Sequence, residues 1–87
     1  MSNFSIKPLG SEISVTAANT VANSTFVRIY APNTTLITVT HASSGGNDPA
    51  ITGNFTMPAG AVEYVKKMAA DTITANVAVN CCPVAFY

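Results

Sequence analysis

Apolar and polar residues alternate with a period of two along most of the chain. Over Ser11 to Ala17, Ile13, Val15 and Ala17 fall on one side and Glu12, Ser14 and Thr16 on the other. Thr25 to Ala31 sets Val27, Ile29 and Ala31 against Phe26, Arg28 and Tyr30. Asp71 to Val79 sets Ile73, Ala75, Val77 and Val79 against Thr72, Thr74, Asn76 and Ala78. Successive side chains of an extended chain point to opposite faces, so these runs predict strands with one face on a core. Thr34 to His41 is β-branched almost throughout, which suits a pleated strand. Asn3 to Lys7, Ala50 to Met57 and Val84 to Tyr87 complete the set, with Gly53 expected to mark a bulge. Ala61 to Met68 fits two periods. A helix places Val62, Val65 and Ala69 together, with Glu63 and Lys67 four residues apart. A strand sets Val62, Tyr64 and Lys66 against Glu63, Val65 and Lys67. The preceding Pro58-Ala59-Gly60 reads as a hairpin turn, and the strand is the preferred reading.

Turn residues separate these runs. Leu9-Gly10, Pro32-Asn33 and Pro58-Ala59-Gly60 punctuate the chain, Ala18 to Ser24 is a small-residue connection, and residues 42–49 form a loop. Seven to eight short strands at such spacing predict an all-β fold, a small antiparallel β-sandwich or jelly-roll-like domain spanning residues 1–87. The expected core is Ile13, Val15, Val27, Ile29, Ile37, Val39, Phe55, Val65, Ile73, Val77 and Val79.

Composition sharpens this picture. A chain of 87 residues makes one domain and buries only ~60% of the surface its unfolded form exposes. Charged residues are 9%, against ~25% in an average domain, and the net charge is zero. Thr, Ser and Asn take their place, giving a surface that is cheap to desolvate and suited to being covered by other subunits. No basic stripe offers contacts to nucleic-acid phosphates, and no run approaches the ~20 apolar residues of a membrane helix. Met1-Ser2-Asn3-Phe4 lacks a basic segment followed by an apolar run, so no secretory signal is expected.

Candidate chemistry is sparse. Cys81 and Cys82 are adjacent and point to opposite faces, so they are expected as two free thiols, one buried. One histidine and two cysteines cannot build a zinc site within one chain. His41 is expected as an exposed strand-end residue with no identifiable partner. Glu12, Asp48, Glu63 and Asp71 are scattered, which suggests no acid/base pair. Thr38-Val39-Thr40 and Thr72-Ile73-Thr74 have the threonine spacing of ice-binding faces, but two pairs are ordinary strand composition. The expectation is no enzymatic activity and no cofactor.

The residue frame also carries a resemblance. It runs from Val15-Thr16-Ala17-Ala18-Asn19-Thr20-Val21 through Phe26-Val27-Arg28-Ile29-Tyr30-Ala31-Pro32-Asn33 and Leu36-Ile37-Thr38-Val39-Thr40. It continues through Gly53-Asn54-Phe55-Thr56-Met57-Pro58-Ala59-Gly60, Glu63-Tyr64-Val65-Lys66-Lys67 and Asp71-Thr72-Ile73-Thr74-Ala75 to Val84-Ala85-Phe86-Tyr87. This frame is similar to very short virion proteins of tailed phages, especially those of marine and cyanobacterial hosts. The chain departs from it at Ala69 or Ala70, where many relatives have Pro, which keeps the helical reading of 61–69 open. The resemblance implies a small β-sandwich that decorates or cements the capsid, made in the host cytoplasm and carried on the virion. Its partners would be the major capsid protein, copies of itself in a homo-oligomer such as a trimer, or both, with no nucleic acid and no membrane. A tail or neck component is one alternative, and a small module binding a host protein is another. For the contact surface the residues to consider are Phe26, Arg28, Tyr30 and Tyr87: an arginine between two aromatics on one strand face, and an aromatic near the end of the chain.

Overall fold

The structure, a computed structural model, describes residues 5–41 and 52–86. Eight strands run β1 (Ile6–Pro8), β2 (Ile13–Val15), β3 (Phe26–Tyr30), β4 (Thr35–Thr40), β5 (Gly53–Met57), β6 (Val62–Lys66), β7 (Thr72–Ala75) and β8 (Val79–Phe86). They form two antiparallel sheets, a small all-β sandwich. The five-stranded sheet has the order β1-β8-β3-β6, with β2 also pairing β8, and the three-stranded sheet has the order β5-β4-β7. The segment 61–69 holds β6 and no helix.

The alternation read from sequence is what makes the two layers. Val27 and Ile29 of β3, Ile37 of β4, Ile73 and Ala75 of β7, and Val79 and Cys81 of β8 face inward and are buried. Val15 and Met57 close the same cluster, with Ile13, Val39, Phe55, Ala61 and Val65 packed at its margin. Each large aliphatic side chain taken fully from water here is worth ~1.5–3 kcal/mol.

Backbone hydrogen bonds stitch the sheets along one side. Beyond β2 the chain crosses from the five-stranded sheet to β7: Ala75 donates to the Thr16 carbonyl at 3.0 Å, and Asn19 and Ile73 exchange bonds of 3.1 and 2.8 Å. Val21, Ala22 and Asn23 then follow with φ of 53, 58 and 54°. Left-handed backbone costs roughly 1–2 kcal/mol per non-glycine residue. Local bonds offset this, because Val21 N donates to Asn19 Oδ1 at 2.7 Å and Asn23 N to Thr20 Oγ1 at 3.2 Å. The Val21 side chain is fully buried in the core cluster, which anchors the turn.

Four sequence expectations are corrected. Pro58-Ala59-Gly60 is not a hairpin turn: β5 and β6 lie in different sheets, so it is a crossing. Gly60, at φ 84°, makes that crossing and donates to the Ala31 carbonyl at 2.7 Å. Gly53 carries no bulge, since it pairs in register with Val39. Residues 71–79 are not one strand. Asn76 breaks the run because its Oδ1 accepts from Thr35 Oγ1 and Leu36 N at 2.9 and 2.8 Å, and Val77 N donates to Thr35 Oγ1 at 3.1 Å. Val77 is thereby turned out of the core and exposed. Finally, β8 runs unbroken through Asn80 and Pro83. The Pro83 carbonyl accepts from Leu9 N at 2.8 Å, so the side of Pro83 that lacks an N–H faces the break between β1 and β2 rather than the β3 ladder.

Candidate contact surface

The outward face of the five-stranded sheet gathers three of the four residues singled out in the sequence. Phe26, Arg28 and Tyr30 alternate with the buried Val27 and Ile29, so all three point away from the core. Their neighbours follow from register. On β6, Lys66 lies opposite Phe26, Tyr64 opposite Arg28 and Val62 opposite Tyr30. On β8, Cys82 lies opposite Arg28 and Asn80 opposite Tyr30. Tyr87 lies outside the described residues, as do Phe4 and the loop at 42–49.

The rings of Phe26 and Tyr64 sit 6.3 Å apart at 45°. Arg28 meets Glu12, with Nη1 and Oε2 3.7 Å apart and both side chains partly exposed. Such a pair contributes little stability in water, ~0–1 kcal/mol. It does leave the centre of an aromatic face electrically neutral, and that lowers the cost of covering it. Val62 adds an exposed apolar residue at the β6 margin.

At one end this face deepens into an open groove of about 460 Å³ lined by Leu9, Thr25, Phe26, Lys66, Val84 and Ala85. Val84 belongs to the outward set of β8 and is nonetheless only 2% exposed, so it forms the floor. Leu9, in the bulge between β1 and β2, stands as a wall with 58% of its surface exposed. Sequence reasoning missed Leu9, Glu12, Tyr64, Lys66 and Val84 as parts of this surface. The alternation of Val62, Tyr64 and Lys66 was legible, but the pairing of β6 with β3 was not.

The outer face of the three-stranded sheet is different in kind. Thr38 pairs with Thr74 and Thr40 with Thr72 across β4 and β7, while Thr38 also faces Asn54 and Leu36 faces Thr56 across β4 and β5. The two threonine motifs are therefore one uncharged block.

His41 is corrected. One rung beyond Thr40 and Thr72 brings it opposite Asp71, and its Nδ1 lies 3.6 Å from Asp71 Oδ1 with the ring largely buried. Beside them Lys67 is buried, and its ammonium donates to the Ser24, Met68 and Ala69 carbonyls at 2.7, 3.3 and 3.2 Å. Asp71 Oδ2 accepts from Met68 N at 3.1 Å. Burial pulls the Lys67 ammonium below the usual lysine range, and Asp71 partly opposes that. All three of its N–H bonds are used on carbonyls, so the head is a tie between turns rather than a free base.

The two thiols are free and unlike. Cys81 lies in the core, where burial pushes its thiol up to about 12. Cys82 is half-buried on the outward face, with its Sγ 3.5 Å from the Gly10 carbonyl. Among the described residues no group of three His, Cys, Asp or Glu side chains is placed to hold a metal ion, and no helix is long and apolar enough to cross a membrane.

Comparison with protein-family models, curated proteins and solved structures found no match for this chain.

Proposed function

We propose that the chain is a non-enzymatic structural virion protein that decorates or cements the head of a tailed phage. It would act by binding major-capsid subunits, copies of itself, or both. The observation that carries this reading is the outward face of the five-stranded sheet. Phe26, Tyr30 and Tyr64 surround a neutralised Arg28–Glu12 pair there, on a domain with zero net charge. Aromatic residues bury large rigid areas at low entropic cost, and an internally paired charge leaves no unpartnered ion when covered. The second support is the resemblance of the residue frame to short phage virion proteins. The role needs no chemistry: a copy that binds only the assembled shell stabilises it by mass action, and many weak contacts add up over a particle.

Counting copies in purified particles and locating them by labelling tests the role. A copy number matching the capsid lattice agrees with it. A number matching the six- or twelve-fold symmetry of tail and neck overturns the head assignment, and absence from particles overturns the virion assignment altogether.

A further inference from the structure

We infer that the groove at the end of the five-stranded sheet is a docking site for one apolar side chain of a partner protein, held next to an acidic residue of the same segment. The inference takes its location from the contact-face reading, but it does not depend on which particle carries the chain.

Three observations carry it. The floor and wall are apolar, formed by Val84, Phe26 and Leu9, and the volume of about 460 Å³ is in the range of small-ligand sites. Leu9 is the most exposed large hydrophobic of the described residues, at 58%, and it stands where an inserted side chain would cover it. The lining also holds a lysine, Lys66, and among the described residues neither the Arg28–Glu12 pair nor the His41–Asp71 contact involves it. An apolar slot with a lysine in its lining complements a hydrophobic group with a carboxylate beside it. The groove is open along the sheet surface rather than closed as a tunnel, and the exposed Thr25 offers a hydroxyl at its rim. A peptide backbone can lie across such an opening while its side chain enters.

Titration of the full-length, isotope-labelled chain followed by amide chemical shifts tests this with three probes: acetyl-Leu-Phe-Asp-amide, acetyl-Leu-Phe-Lys-amide and octanoate. The acidic peptide is expected to shift the amides of Leu9, Phe26, Lys66 and Ala85. It should bind about threefold more tightly than the lysine peptide, the size of an exposed ion pair. Lys66→Glu should reverse that preference while keeping a dispersed, folded spectrum, and Leu9→Ser should weaken both peptides. The inference is overturned if no probe shifts these amides at millimolar concentration, or if Lys66→Glu leaves the preference unchanged. Tighter binding of octanoate than of the acidic peptide overturns it in favour of a lipid-like ligand. Failure here with intact occupancy on particles would remove the groove and leave the contact face standing.

Discussion

Arg28 and Cys82 lie directly opposite one another on β3 and β8, on the face turned away from the core, while Cys81, one residue earlier, lies opposite Ile29 inside it. One step along a strand thus separates a thiol sealed in the core from a thiol on the candidate contact surface. The difference can be measured.

Iodoacetamide at pH 8 should modify Cys82 and spare Cys81 in the native chain. The thiolate is the nucleophile, and a thiol held near 12 is almost wholly protonated at that pH. Mass spectrometry of the labelled protein reads the ratio. Equal labelling of the two without unfolding would contradict the burial of Cys81. Because neither thiol staples the fold, reductant should leave the melting temperature unchanged. A native disulfide in a small domain would be worth ~2–5 kcal/mol.

Truncation of the core should follow the observed faces. Ile29→Ala and Ile73→Ala should each cost about 2–5 kcal/mol in denaturant unfolding, since both are fully buried. Val77→Ala should cost less than about 0.5 kcal/mol, in keeping with a surface position. A large loss at Val77 would mean that β7 runs on past Asn76.

The left-handed turn offers a gain. Ala22, exposed at φ 58°, should stabilise the fold by about 1 kcal/mol when replaced by glycine, which adopts that backbone freely. Val21→Gly should instead destabilise, because the anchoring side chain is lost. If Ala22→Gly weakens the fold, the turn is not strained as described.

Lys67 gives a pH signature. Its folded value lies below the usual lysine value of 10.5, so over the window between the two the unfolded chain binds more protons. Stability contributed by this group therefore rises with pH across that window and is lowest below it. Lys67→Met should lose this rise. It should also cost about 1–3 kcal/mol at neutral pH, because the Ser24, Met68 and Ala69 carbonyls lose a shared donor. The difference in melting temperature between wild type and variant from pH 7 to 11 shows both effects.

Much of the fold was legible in local pattern. The period of two in β3 correctly sets Val27 and Ile29 inward and Phe26, Arg28 and Tyr30 outward, because one strand's faces depend only on its own sequence. Features that depend on partners distant in sequence were not legible. Asn76 ends β7 through bonds to Thr35 and Leu36, some forty residues away. Pro83 sits inside β8 only because its donor-free side meets the bulge at Leu9. Val21 reads as part of a small-residue linker until its left-handed backbone turns it into the core. The site divides the same way: β3 supplied its strip, while Glu12, Tyr64, Lys66 and Leu9 joined it through strand pairing alone.

The contact face itself is tested most directly by alkylating Cys82 in purified particles and in the free chain under identical conditions, with Cys81 as the internal control for folding. Cys82 should react in the free chain and be protected on the particle, with Cys81 silent in both. Reaction of Cys82 at the same rate in both states, with the chain present on the particle and Cys81 still silent, would contradict it.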